Sequence, residues 1–92
     1  MQVDFYATLR LLVGKKTVDF SLPEGATVRD LLDAVVRRFP PLADKLFDQE
    51  GSLSGDVNVF IDGRGAPYLD HGLDAVLRAA QKVDIFPAVA GG

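Results

Sequence analysis

The chain has 92 residues, a formal net charge of −3 and no cysteine. This length suits one domain with one hydrophobic core. The negative charge argues against a nucleic-acid-binding protein, whose surface carries a basic stripe. The missing cysteines exclude disulfides, thiolate metal sites and a thiol nucleophile. The sequence has no basic-then-apolar leader and no run of about 18 apolar residues. We therefore expect a cytoplasmic protein that has neither a nucleic acid nor a membrane as its partner.

Four segments alternate apolar and polar residues, which is typical of half-buried strands. They cover residues 2–7, 18–22, 57–62 and 83–87. A turn at Gly14-Lys15-Lys16 joins the first two segments into a hairpin. Asp62-Gly63 is a turn signal, and residues 66–69 are predicted to return as a short edge strand.

One amphipathic helix is predicted between the second and third strands. Thr27 is a good N-cap, and Asp30 three residues later completes a variant of the capping box. Apolar residues then recur at helical spacing from Val28 to Phe39, and Pro40 ends the helix because it disfavours the α conformation of the preceding residue. Three further segments are predicted as a short helical turn (42–47), a loop (49–56) and a loop or helical turn (73–81).

The order of elements is strand, strand, helix, strand, short strand, strand. This order favours an α+β fold in which one main helix packs across a mixed sheet. The residues predicted to face the core are Val3, Phe5, Val18, Phe20, Val28, Leu31, Leu32, Val35, Val57, Val59, Ile61, Val83 and Ile85.

The same alternation places three aromatic residues, Tyr6, Phe60 and Phe86, on the other face of the sheet. The face of a strand side chain is fixed by parity, so none can turn inward alone. No second helix long enough to cover them is evident. Either they form a partner-binding surface, or a loop such as residues 73–81 covers them.

The sequence closes on the apolar tail Phe86-Pro87-Ala88-Val89-Ala90-Gly91-Gly92. Two glycines form a thin and pliable strip that fits a narrow channel, and they leave the α-carboxylate of Gly92 unshielded. Residues 88–92 in extended conformation span on the order of 17 Å. The alternative is a frayed terminus.

Two stretches of the chain, residues 5–14 and the tail 83–92, resemble the ubiquitin-like sulfur carriers. These include the molybdopterin synthase small subunit, the thiamine-pathway carrier, the cysteine-synthesis carrier and the archaeal small modifier proteins. The resemblance implies a β-grasp fold, here a single domain over residues 1–92 with a flexible C-terminal tail at 88–92. In that fold the first, last and third strands lie side by side, which would bring Tyr6, Phe86 and Phe60 together.

The resemblance also implies a function and a set of site residues. A ubiquitin-activating-type enzyme would use ATP and Mg²⁺ to adenylate the Gly92 carboxylate, which sulfur would then convert to a thiocarboxylate. The chain itself would bind no cofactor or metal, and it would be a carrier or cosubstrate rather than an enzyme. It could also be the small non-catalytic subunit of a synthase, and a sulfur-accepting synthase subunit is the second implied partner. The implied binding residues are Gly91, Ala90, Val89, Ala88, Phe86, Tyr6 and Phe60. Arg10 is added as a candidate binding residue from its own charge and position, not from the resemblance.

Several alternatives stay open. The chain could be a protein modifier that is conjugated to lysines through Gly92, or a non-reactive interaction domain, which would carry residues after the glycines. Arg10 could pair with an acidic partner or cap the sheet edge. His71 is expected in a surface loop rather than in a catalytic or metal site. The pathway that receives the sulfur (molybdopterin, cysteine, thiamine or tRNA thiolation) is not fixed by the sequence.

Overall fold

In the computed structural model, which describes residues 1–88, five strands form one mixed sheet. The strands are β1 (Gln2–Phe5), β2 (Thr17–Asp19), β3 (Val57–Ile61), β4 (Arg64–Gly65) and β5 (Val83–Pro87). Their order in the sheet is β2-β1-β5-β3-β4. The central pair β1–β5 is parallel, and the other neighbours are antiparallel.

Three helices and three 3₁₀ turns complete the described chain. The helices are α1 (Ala7–Val13), α2 (Val28–Arg38) and α3 (Ala43–Leu46), and the turns cover Pro40–Leu42, Ala66–Tyr68 and Gly72–Asp74. The predicted arrangement of a main helix, α2, packed across a mixed sheet is confirmed.

Helix α2 begins with the predicted capping box. The Thr27 hydroxyl accepts the N–H of Asp30 at 3.2 Å, and the Asp30 carboxylate accepts the N–H of Thr27 at 2.9 Å. These two bonds satisfy donors that the first helical turn leaves without a partner. The helix ends at Arg38, and Phe39 leaves the α conformation before Pro40, as predicted.

The core lies between α2 and one face of the sheet. Each residue predicted to face inward is at most 5% exposed. Leu42 and Leu46, from the segment predicted as a short helical turn, are also buried and close the core beside α2. The parity argument therefore assigned the faces of the sheet correctly.

The first predicted strand is too long, because the chain leaves the sheet after Phe5 and enters helix α1. Leu9 is buried at 2% exposure whereas Leu11 on the opposite side of the helix is 80% exposed. One buried residue in a seven-residue helix gives no recognisable helical period, which is why the sequence pattern missed α1. The helix ends at Gly14, whose φ of 92° is readily adopted by glycine.

The second predicted strand is also too long, since β2 stops at Asp19. The N–H of Phe20 still donates to the carbonyl of Met1 at 2.8 Å. Strand β1 begins at Gln2, so the residues that follow Phe20 have no neighbouring strand to continue the ladder.

The predicted edge strand at residues 66–69 is wrong. Asp62 and Gly63 both have positive φ, of 51° and 82°, as in a two-residue hairpin turn. Pairing therefore resumes immediately with Arg64 opposite Ile61. The chain then turns through Pro67, which has no N–H for a ladder.

Only the first part of residues 73–81 is helical, as the end of the 3₁₀ turn Gly72–Asp74. The rest runs as a loop, in which Val76 forms an isolated antiparallel bridge with Thr27.

Candidate partner-binding site

Tyr6, Phe60 and Phe86 are in contact on the sheet face opposite α2, and we call them the aromatic cluster. The rings of Tyr6 and Phe86 stack with centroids 4.1 Å apart and planes 11° apart. Phe60 meets Phe86 edge-on, with centroids 5.5 Å apart and planes at 82°. All three side chains are half-buried, so residues 73–81 do not bury them as core residues.

Strand register brings the cluster together. Phe5 lies level with Ile85 in the parallel pair, so the next residues, Tyr6 and Phe86, are neighbours on the other face. Tyr6 lies just beyond β1 but keeps an extended backbone, and its N–H donates to the Ile85 carbonyl at 3.2 Å. Phe60 is level with Asp84 and therefore lies diagonal to Phe86.

A hydrogen bond fixes the ring of Tyr6. Its hydroxyl donates to Asp84 Oδ1 at 2.8 Å. This bond, together with burial and the negative charges of Asp84 and Asp4, raises the pKa of Tyr6 from 10.0 to about 12. Tyr6 is therefore a neutral, oriented ring at physiological pH.

Charged residues border one side of the aromatic cluster. Asp4 and Asp84 are register partners on β1 and β5, and Lys82 Nζ lies 3.9 Å from one carboxylate and 3.8 Å from the other. The Thr17 hydroxyl donates to Asp4 at 2.7 Å. The cluster is thus an apolar area with a polar rim, which is the usual anatomy of a protein interface.

The cluster lies at the end of the sheet where β1 and β5 finish. Because β1 and β5 are parallel, Tyr6 and Phe86 are at the same end of the strands as Pro87. Ala88 is half-buried, and its N–H donates to the Asp56 carbonyl at 2.7 Å. The other predicted tail residues, Val89, Ala90, Gly91 and Gly92, lie outside the described residues.

Arg10 is exposed in the last turn of α1. Within residues 1–88 its guanidinium forms no ion pair, so it is not tied to the sheet edge by a salt bridge. The backbone N–H of Arg10 donates to the Tyr6 carbonyl at 3.3 Å. Among the same described residues the Arg10 guanidinium makes no cation–π contact with the rings of the aromatic cluster.

Comparison with known proteins identifies the family. Residues 3–92 match the model of the ThiS family. The chain belongs to the ThiS family. Small archaeal modifier protein 3 of Haloferax volcanii is 35% identical over 92 residues, which are 100% of this chain and 98% of that protein.

Solved structures agree with this ThiS-family assignment. Small archaeal modifier protein 1 of Haloferax volcanii (crystal structure) has a TM-score of 0.84 at 32% identity, over 99% of this chain and 97% of that chain. A chain of the Amycolatopsis orientalis BexX/CysO complex has a TM-score of 0.80 at 30% identity, over 99% of this chain and 98% of that chain. The β-grasp fold and the ubiquitin-like sulfur-carrier and modifier family are therefore confirmed.

Two other expectations concern metals and membranes. Within residues 1–88 of this ThiS-family chain, no group of three or more His, Cys, Asp or Glu side chains is placed to hold a metal ion. His71 is exposed in a turn with a φ of 72°. In the same described range no helix has the length and apolar character needed to cross a membrane.

The sequence prediction for this ThiS-family chain missed the polar rim formed by Asp4, Asp84 and Lys82. A signal was present, because Asp4 and Asp84 stand two residues before Tyr6 and Phe86 and so share their face. Asp4 and Asp84 lie side by side only because β1 pairs in parallel with β5. That pairing joins distant parts of the chain and cannot be predicted from a short stretch of sequence.

Proposed function

We propose that this chain is a ubiquitin-like sulfur carrier whose Gly92 carboxylate is adenylated by a ubiquitin-activating-type enzyme and then converted to a thiocarboxylate. The observation that carries the proposal is that the aromatic cluster is centred on Phe86 of β5. In the sequence, β5 is the strand that precedes the tail ending at Gly92. A docking surface next to a reactive end lets one partner hold the body while its active site receives the tail.

The chemistry explains why such a carrier needs a partner. A carboxylate is a poor acyl donor because its oxygen is a bad leaving group. In the proposed reaction the Gly92 carboxylate oxygen attacks the α-phosphorus of ATP, the bond from that phosphorus to the bridging oxygen breaks, and pyrophosphate leaves. A persulfide sulfur on a partner then attacks the acyl carbon of the adenylate and displaces AMP. The product on Gly92 is an acyl disulfide. A thiol reductant cleaves the S–S bond and leaves the thiocarboxylate on Gly92.

The residues of this chain bind and orient, while ATP and Mg²⁺ belong to the partner. The aromatic cluster supplies contact area, and the Tyr6–Asp84 hydrogen bond holds one ring in place before binding. Arg10, exposed on α1, is available to an acidic partner residue. The main contribution that such a chain makes to the reaction rate is to position its carboxylate accurately against the reacting group of the partner. We therefore propose a cytoplasmic carrier or cosubstrate that next presents its sulfur to a synthase subunit.

A second candidate function is protein modification. The similarity to a small archaeal modifier protein favours it. In that reaction a lysine amine of a target attacks the activated Gly92 carbonyl carbon, and an isopeptide bond forms. Immunoblotting of cells with an antibody to the chain separates the two functions. A ladder of larger conjugates indicates the modifier, whereas one small band indicates the carrier.

The test of activation is pyrophosphate release with three forms of the protein. The full chain should release pyrophosphate in the presence of the adenylating enzyme and ATP. A chain that lacks Gly92, and a semisynthetic chain with a Gly92 carboxamide, should not. The carboxamide keeps the length and shape of the tail, so it isolates the role of the carboxylate. Unchanged release by the shortened chain or by the carboxamide would refute the proposed mechanism.

A further inference from the structure

The exposed ring of Tyr68 lies beside the aromatic cluster. Tyr68 is 82% exposed, so most of its surface is accessible to a partner that docks on this face. A Cβ atom placed on Gly65 would lie 3.1 Å from Tyr68 Cδ2 and 4.0 Å from Phe60 Cε1. The rings of Tyr68 and Phe60 therefore flank the same glycine, and Phe60 in turn contacts Phe86.

The backbone does not require glycine at position 65. Its φ of −59° and ψ of 134° lie in an extended region that other residues adopt freely. This differs from Gly63, whose φ is 82°. The Tyr68 ring approaches position 65 closely, so a Cβ there would require the ring to shift by a few tenths of an ångström, and a larger side chain would displace it further.

Tyr68 projects from a fixed turn rather than from a loose loop. Ala66 is fully buried, and the ring of Pro67 restricts the backbone. The Leu69 N–H donates to the Ala66 carbonyl at 3.2 Å. A side chain on such a preorganised turn loses less conformational entropy when a partner covers it.

We propose that the partner-binding surface continues from the aromatic cluster across Gly65 to Tyr68, and that the adenylating enzyme covers Tyr68 with an apolar, ring-accepting surface. The inference rests on the proposed function and adds a fourth anchor to it. The inference is supported by the continuity of the apolar surface. Tyr6, Phe86 and Phe60 are in contact, and Tyr68 lies on the far side of Gly65 from Phe60. Tyrosine is also one of the residues that most often supply the binding energy of protein interfaces.

Steady-state pyrophosphate exchange with the ubiquitin-activating-type enzyme of the same organism tests this surface. Tyr68→Ala should raise the KM for the chain about 10-fold and leave kcat unchanged, because it removes docking and not chemistry. Val76→Ala, at another exposed apolar residue (60% exposed), is the control and should leave the KM unchanged. Both variants should keep the thermal midpoint within about 3 °C of the parent, because neither side chain is buried.

A double-mutant cycle tests the role assigned to Gly65. Gly65→Val should raise the KM in the parent chain by displacing Tyr68. In the Tyr68→Ala background it should change the KM less than about 2-fold, because no ring is left to displace. A full effect of Gly65→Val in that background would overturn the assignment.

The outcomes separate this inference from the proposed function. If exchange depends on Gly92 and on Phe86 but Tyr68→Ala has the parent KM, the surface ends at Phe60 and the inference is overturned. If the parent chain supports no Gly92-dependent exchange, the proposed function fails and the inference fails with it.

Discussion

The hydroxyl of Tyr6 donates to the carboxylate of Asp84 across 78 residues of sequence, at 2.8 Å. The bond joins the start of α1 to the last strand of the sheet. It holds the Tyr6 ring flat against Phe86, which is the central ring of the aromatic cluster. The candidate interface is thus fixed by a polar contact at its rim as well as by ring packing.

The first prediction follows from the raised pKa of Tyr6. The folded chain holds the phenolic proton more tightly than the unfolded chain, because the pKa is raised from 10.0 to about 12. The stability that this bond contributes is therefore complete below pH 10.0 and is lost as the pH rises toward about 12. Thermal midpoints of the parent and of Tyr6→Phe, measured across this range, should converge as the pH rises. A difference that stays constant would contradict the assignment.

The second prediction separates docking from stability at the aromatic cluster. Phe86→Ala should raise the KM for the chain in pyrophosphate exchange by about 30-fold, which corresponds to about 2 kcal/mol at an interface anchor. Its half-buried ring should contribute less than that to the free energy of unfolding. Phe39→Ala is the matched control, because Phe39 is also half-buried but packs edge-on against the core residue Phe5. It should destabilise the fold and leave the KM unchanged. Equal losses of binding and stability in Phe86→Ala would instead identify a covered core residue.

The third prediction concerns helix α1. Leu9→Ala should lower the free energy of unfolding by about 2–5 kcal/mol, because it removes a fully packed side chain and leaves a cavity. Leu11→Ala, on the solvent side of the same helix, should change it by less than about 0.5 kcal/mol. Chemical denaturation measures both values. Similar losses in the two variants would mean that α1 does not pack through Leu9 as described.

The fourth prediction concerns the start of α2. Thr27→Ala should cost about 1 kcal/mol of stability, because it removes the side-chain acceptor of the capping box. Ser21→Ala is a suitable control, since Ser21 is exposed and lies outside the helix. The Thr27→Ala variant should keep the parent KM in pyrophosphate exchange, because Thr27 begins the helix that packs on the sheet face opposite the aromatic cluster. A stability equal to that of the parent would show that the cap contributes nothing.

Sequence patterns predicted the parts of the fold that depend on parity and local chemistry. The alternation of Val57, Val59 and Ile61 fixed the inward face of β3, and Thr27 with Asp30 marked the start of α2. The same parity correctly placed Tyr6 and Phe86 on the outer face.

The remaining features have different causes. Helix α1 was missed because it buries only Leu9 deeply. The turn at Asp62 and Gly63 was recognised, but the fourth strand was misplaced because pairing resumes directly at Arg64 rather than at residue 66. The approach of Tyr68 to Phe60 across Gly65 is a matter of side-chain packing, which periodicity does not report. The polar rim required the parallel pairing of Asp4 with Asp84.

Intact mass spectrometry of the protein from its native cells tests the central proposal most directly. We predict a population whose mass corresponds to the exchange of one oxygen for sulfur, and whose fragments place that exchange at Gly92. Alkylation should label the same population, because a thiocarboxylate is a sulfur nucleophile. A protein found only with an unmodified carboxylate under conditions of active sulfur transfer, or one that continues beyond Gly92, would contradict the account.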